Sequence, residues 1–341
     1  MGALIQEVNA NFDAVVISDA NSLRPDGDGS GRARFIEGLT TKILLLGSGL
    51  QNWFEPGLDN LQPGMRRLLE VADRKADIWA VRGERTNTWL KRSGIQSAVT
   101  TDCPSLYSFP RKILSLAPKY AALKRDPQTA LDGKILTAGY LQRGLLQDET
   151  KIWRARDLSE LLRGRSADYV FQGEVSAFHQ LKNEQFLYDP TTCELDAATL
   201  QAYFRDHFGL SASFRKYLFF LDATTWRATA SQYDIYVGDR LHGGIAAMHG
   251  GTPAVLLYHD DRVKEIADFF LIPNFPMQRV RGMTLTQVVS EAMAESDEDR
   301  FVQNYSAHLS NFVSLFEGRG FTLRPHVRLA VPQGRETTSA A

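Results

Sequence analysis

Asp234-Ile-Tyr-Val-Gly-Asp-Arg-Leu-His-Gly-Gly244 is the stretch on which the reading of this chain turns. Tyr233 to Gly238 is a short apolar, β-branched run that suits a buried strand, and Ile245-Ala-Ala-Met-His249 carries helix formers between two glycine pairs. The polar residues therefore sit on a strand-to-helix turn. A helix starting at Gly243 or Gly244 points free backbone N–H groups and the positive end of its dipole at that turn, which favours phosphate or carboxylate there. Arg240 and His242 are two apart, so extended geometry carried through the turn places them on one side of it. Arginine can hold such an anion with two parallel hydrogen bonds, histidine can transfer a proton near neutral pH, and the glycines let a ligand approach the backbone. Gly250-Gly251 stops the helix, and Thr252-Pro253 leads into a strand over residues 254–258.

Working outward, nine strand-like runs alternate with segments long enough for crossover helices. They are Ala14 to Ser18, Lys42 to Leu46, Ile78 to Val81, Ser97 to Thr100, Lys134 to Ala138, Tyr169 to Gln172, Tyr217 to Leu221, Ile235 to Gly238 and Ala254 to Leu257. Such alternation predicts an α/β protein with mostly parallel sheets covered on both faces and ligands at the carboxyl ends of the strands. The turn at Arg240 lies at such an end. Helical spacing returns over Thr284 to Glu295 and Asn304 to Phe316, whereas Val331 to Ala341 is polar and small and is expected to fray.

The 341 residues suit two domains, and the polar stretch Pro118 to Gly133 marks their junction between series of four and five strands. The expected division is 1–125, 126–320 and a flexible tail over 321–341. A formal charge of −1 without a basic stripe argues against nucleic-acid binding. Cys103 and Cys193, far apart, suggest neither a disulfide framework nor a zinc site, and so a reducing compartment. The first residues lack the basic flank and apolar run of a signal peptide, and no window is long enough to span a bilayer, so a cytoplasmic location is expected.

Gly47-Ser-Gly49, Ala80-Val-Arg-Gly-Glu-Arg85 with Leu90 and Ser93-Gly-Ile95, Asp102-Cys-Pro-Ser-Leu106, Tyr169-Val-Phe-Gln172, Asp222 to Trp226, Gly238-Asp-Arg-Leu-His-Gly243, Gly251-Thr-Pro253 and His259-Asp-Asp-Arg262 occur in the order of one family. Together they resemble the polysaccharide pyruvyl transferases over roughly residues 12 to 275, most specifically from Asp222 to Pro273. The resemblance implies two facing doubly wound, Rossmann-like domains of the GT-B glycosyltransferase type. It implies transfer of pyruvate from phosphoenolpyruvate onto a sugar of an exopolysaccharide, capsule or cell-wall glycan precursor as a ketal. Neither metal nor redox cofactor is required, since general acid catalysis and anion stabilisation supply what ketal formation needs. Lipid-linked oligosaccharides are among the acceptors implied, which leaves room for contact with the inner face of the membrane. The chain departs from the family at its start: relatives open with a strand and a glycine-rich loop, whereas this sequence begins with a helix-like stretch. Its N-terminal domain therefore reads as shortened, with Asp19-Ala-Asn-Ser22 where many relatives carry glycines.

In family members the arginine and histidine of the turn contact the donor, a role carried here onto Arg240, Leu241 and His242. Gly243 and Gly244 complete the expected donor site, with Arg240 as anion ligand and His242 as proton or hydrogen-bond donor. Asp239 suits helix capping or the orientation of Arg240. Arg262 reads either as a second anion ligand or as part of a helix capped by Asp260 and Asp261. Arg143, on a carboxyl-end loop, is a further donor-side candidate.

On the acceptor side Ser48, Gly49, Asn52 and Trp53 form a polar, glycine-rich loop after a strand, suited to a sugar or to a turn with a packed indole. Arg82 follows the next strand and could reach the same cleft. Two other classes stay open. A nucleotide-sugar glycosyltransferase would release UDP, and a noncatalytic glycan-binding or assembly protein would bind acceptor without turnover.

Overall fold

Short apolar strands alternating with helices build two sheets, and the parallel α/β architecture expected from sequence is found. The computed structural model describes all residues except 19, 21, 22, 25, 51–56, 58, 59, 142–145, 173–187 and 332–341. Unit 1 comprises Met1–Pro110, Asp260–Phe269 and Tyr305–Ala341, and unit 2 comprises Arg111–His259 and Phe270–Asn304. The stretch Pro118 to Gly133 thus lies inside unit 2. It carries helices Ala117–Arg125 and Pro127–Leu131, and the buried Tyr120 donates its hydroxyl to Ala254 O at 3.3 Å. The polar composition of that stretch belongs to the outer faces of packed helices rather than to a linker.

The sheet of unit 1 contains β1 (Ala14–Ser18), β2 (Lys42–Ser48), β3 (Ile78–Val81) and β4 (Ala98–Thr100), all parallel and in sequential order. The crossover helices Ser30–Gly38, Pro63–Lys75 and Glu84–Arg92 pack on one face, as right-handed connections between sequential parallel strands require. On that side Ile43, Leu45, Trp79 and Val81 share a core with Ile36, Leu68, Leu69 and Leu90. The alternate residues Leu44, Ile78 and Ala80 are buried too. Burial on both faces is why these strands read as continuous apolar runs.

The sheet of unit 2 contains β5 (Ile135–Thr137), β6 (Ala167–Phe171), β7 (Tyr188–Asp189), β8 (Glu194–Leu195), β9 (Lys216–Phe219), β10 (Ile235–Gly238), β11 (Ala254–Tyr258) and β12 (Asn274–Pro276). Its order is β12-β11-β10-β5-β6-β9-β8-β7, parallel except for the β7–β8 hairpin at one edge. After β5 the chain moves to one side through β6 and β9, then returns to lay β10 against the other side of β5. That reversal makes the sheet doubly wound. The crevice at the carboxyl ends of β5 and β10 is its topological switch point, where α/β proteins place ligands.

All nine expected strands are present, three with the expected ends and six with ends moved by one or two residues. The three not expected, β7, β8 and β12, are two or three residues long, too short to show a period.

Candidate functional site

The switch point is assembled from the turns after β5 and β10. Strand β10 stops at Gly238, and the Asp239 amide donates to Ala138 O at 3.1 Å, tying the two turns together. Arg240 is the extended N-cap of helix Leu241–Gly250. The amides of Gly243 and Gly244 donate to Arg240 O at 3.1 and 3.3 Å, so the helix begins two residues earlier than its glycines suggest. The Tyr236 hydroxyl donates to the same carbonyl at 2.7 Å. Extended geometry therefore ends at Arg240, and His242 stands exposed on the first helical turn while Leu241 is buried. The Arg240 side chain does not cap this N-terminus, and the positive end of the helix dipole faces the switch-point side.

The glycines serve packing. A Cβ on Gly243 would stand 2.7 Å from Tyr236 Oη, and one on Gly244 would stand 2.5 Å from Leu256 Cδ2. The close backbone approach is thus to the sheet, and the Gly243 and Gly244 amides are already engaged within the helix. Of the expected donor residues, Arg240, Leu241 and His242 occupy the helix start itself.

Around Arg240 the structure gathers residues that sequence did not single out. Arg240 Nε donates to Gly139 O at 3.1 Å, and its guanidinium lies 4.3 Å from the centroid of the Tyr140 ring. A second guanidinium, that of Arg154, stacks on the same ring at 3.2 Å. Arg154 comes from helix Trp153–Leu161, donates to Asp239 Oδ2 at 2.9 Å and contacts His259 Nδ1 at 2.6 Å. Its side chain is 7% exposed and that of Asp239 is 1% exposed, so this is a buried ion pair. Asp239 therefore holds Arg154 instead of capping the helix. The His259 and Tyr140 rings pack nearly perpendicular, with centroids 5.4 Å apart.

Arg154 stands on a helix of mixed polarity, where an arginine ordinarily signals a solvated face. Only the doubly wound topology brings it to Asp239. Tyr140 carried a fainter signal, its place directly after β5. Two guanidinium groups, one buried carboxylate and a helix N-terminus give the crevice a positive balance, chemically suited to a compact anion.

The expected acceptor residues in unit 1 meet, but facing inward. Ser48 is buried and accepts from Trp79 Nε1 at 3.3 Å, while a Cβ on Gly49 would stand 2.6 Å from Arg82 Nη2. The buried Arg82 donates to Ala20 O at 2.6 Å and to Leu50 O at 3.2 Å, tying the turns after β1 and β2 together. Burial, aided by the nearby Arg262, pulls its pKa below the ordinary arginine value. Arg262 belongs to unit 1, on helix Asp261–Phe269, 3.7 Å from Asp260 Oδ2. Asp260 accepts from the Val263 amide at 2.9 Å, the capping role among the two open readings of this segment. Asn52, Trp53 and Arg143 lie outside the described residues.

Among the described residues no group of three or more His, Cys, Asp or Glu side chains could hold a metal ion. Among them, too, no helix is long and apolar enough to cross a membrane.

Several solved structures align with the chain at low similarity. The UDP-GlcNAc 2-epimerase of Methanocaldococcus jannaschii, in complex with UDP-GlcNAc and UDP, aligns with a TM-score of 0.45 and 10% identity over 91% of this chain and 78% of that one. The UDP-N-acetylglucosamine 2-epimerase from Rickettsia bellii gives 0.47 and 11% over 93% and 76%. The Neisseria meningitidis UDP-GlcNAc 2-epimerase bound to UDP-GlcNAc gives 0.45 and 10% over 92% and 79%. No curated protein matches the sequence. The polysaccharide pyruvyl transferase profile matches residues 5–261, and the chain belongs to that family.

Proposed function

We propose that the protein transfers pyruvate from phosphoenolpyruvate onto two hydroxyls of a sugar in a glycan precursor, forming a ketal. The observation that carries this reading is the position of Arg240, N-cap of helix Leu241–Gly250 at the strand-order reversal between β5 and β10. Phosphoenolpyruvate is a small, dense anion with a carboxylate and a phosphate. Arg240 binds those anions, and the first turn of helix Leu241–Gly250 adds its dipole.

The chemistry balances without an external oxidant or reductant. A proton adds to the methylene carbon and one sugar hydroxyl adds to the central carbon. Phosphate then leaves, and the second hydroxyl closes the ring. Of the two hydroxyl protons, one ends in the new methyl group and the other on phosphate. His242, exposed on the first helical turn, is the residue that moves a proton or donates a hydrogen bond to the phosphate. Stabilising charge as it develops by positioned donors is the larger contribution of such a site.

The test is incubation of the purified protein with phosphoenolpyruvate and a panel of lipid-linked or nitrophenyl sugars. Phosphate release with a pyruvyl mass gain on a sugar is expected. UDP release from a nucleotide sugar would make it a glycosyltransferase instead, and acceptor binding without turnover of any donor would make it a noncatalytic binding protein.

A further inference from the structure

The contact between Arg154 and His259 fixes a protonation state. A guanidinium has N–H donors and no acceptor, so the 2.6 Å approach of Arg154 Nη2 to His259 Nδ1 has one possible sense. Nδ1 carries the lone pair and accepts, and the ring proton lies on Nε2. Protonating the ring would place a second N–H on Nδ1, directly against the donor that already points at it.

The surrounding charges are of both signs. Arg154 is buried, and Arg240 lies over the Tyr140 ring, which packs nearly perpendicular to the His259 ring. The carboxylate of Asp239 bonds Arg154 at 2.9 Å and so offsets the guanidinium charge. The neutral Tyr140 ring packs against His259, and the carboxylates of Asp260 and Asp261 follow in the chain. With the Arg154 N–H pointing at Nδ1, an imidazolium is disfavoured there.

We infer that His259 is a neutral imidazole locked in its Nε2–H tautomer, which donates a hydrogen bond to the carboxylate or phosphate of the pyruvyl donor. Arg154 is its positioning residue. The inference rests on the phosphoenolpyruvate reading above and deepens it by dividing the work between two histidines. His242 moves a proton. His259, with its one acceptor nitrogen occupied by Arg154, supplies a fixed donor and takes no proton during turnover.

Nitrogen-15 labelling of the seven histidines of the full chain, with assignment by His259→Gln, tests the inference directly. His259 is expected as the Nε2–H tautomer across the pH range in which an exposed histidine takes up its proton, and its Nε2 signal should move on addition of phosphoenolpyruvate. In assays His259→Ala should lose about 100–1,000-fold in kcat, a common loss for one transition-state hydrogen-bond donor. His259→Gln places an amide N–H near the Nε2 position and should recover to within about fivefold of wild type, because a hydrogen bond and not proton transfer is being replaced. The pH profile of kcat should be the same in the glutamine variant. An Nδ1–H tautomer, or titration of His259 between pH 6 and 8, would overturn the assignment. So would a phosphoenolpyruvate response at His242 with none at His259. If neither ring responds and no phosphate is released, the donor reading and the contact proposed for His259 fall together. A normal response at both rings combined with an inactive glutamine variant would make His259 a proton carrier and refute the division of work.

Discussion

The Tyr169 hydroxyl accepts the amide of Gly139 at 3.1 Å, and that of Leu141 at 3.2 Å, from a ring with no exposed surface. A residue of β6 thus holds the turn after β5, the turn that presents Gly139 O and Tyr140 to the two arginines. Tyr169→Phe keeps the ring and deletes the acceptor, leaving two buried amides without it. Urea unfolding should show a loss of about 2–4 kcal/mol with an unchanged m value. The donor KM should rise before kcat falls, because the site is displaced and its groups remain. An unchanged midpoint would mean that the turn holds itself.

Arg154 and Asp239 are buried together, so each is the other's counter-charge. Asp239→Asn or Arg154→Met leaves one charge without its partner and should cost about 3–5 kcal/mol. Replacing both removes the need for compensation. The double variant should therefore be destabilised by less than the sum of the two singles, with a coupling of at least about 1 kcal/mol. Additive losses across the four proteins would show that the pair does not interact as its 2.9 Å separation implies.

What sequence could show follows from the range of each interaction. The strand–turn–helix at Arg240 is local, so its apolar run and punctuating glycines made it visible. Even so, the local pattern put the helix start at Gly243 or Gly244, because glycine ordinarily marks an end. Here Gly243 and Gly244 face Tyr236 and Leu256, a packing demand set by the sheet beneath. Arg154 was invisible for the opposite reason. Its partners, Asp239 and His259, stand 85 and 105 residues away, and only the strand order joins them. Ser48, Gly49 and Arg82 were legible as a cluster, whereas their inward direction depends on the carbonyls of Ala20 and Leu50 that Arg82 bonds.

Replacement of the helix-start residues separates chemistry from structure. His242 is exposed, so His242→Ala should leave the unfolding midpoint nearly unchanged. It should lower kcat by about 100-fold or more if it moves the proton. Arg240→Lys keeps the charge but loses the planar fork, and should raise the donor KM more than it lowers kcat. Full activity in a folded His242→Ala protein would remove His242 from the mechanism.

Gly243→Ala tests the seating of the helix on β10. The added methyl would stand 2.7 Å from Tyr236 Oη and 2.9 Å from Tyr236 Cε2, and the hydroxyl itself donates to Arg240 O. Overpacking of this kind costs about 1–3 kcal/mol. Because relief requires the helix start to lift, donor affinity should fall along with stability. A stability loss with unchanged KM would show that the strain is absorbed elsewhere, for instance by movement of β10 beneath the helix.

Asp102 in unit 1 gives a pH dependence whose sign is fixed. Its carboxylate has no exposed surface, φ is +61°, and Oδ1 accepts the Cys103 amide at 2.6 Å. Burial, reinforced by the nearby Glu265, pushes its pKa up to about 7 against the pull of the Cys103 amide and Arg82. In the unfolded chain the group titrates near its ordinary value of about 3.9. Between these limits the folded protein holds a proton that the unfolded chain releases. Stability must then fall as pH rises through the window, and the cost is complete above pH 7. Asparagine suits the left-handed φ, keeps an oxygen for the Cys103 amide and cannot ionise. Asp102→Asn should therefore stabilise the protein at pH 8 by on the order of 2–4 kcal/mol, with the gain shrinking toward zero by about pH 4. Urea midpoints measured across that range decide it: a difference between variant and wild type that stays constant with pH would show that Asp102 ionises alike in both states.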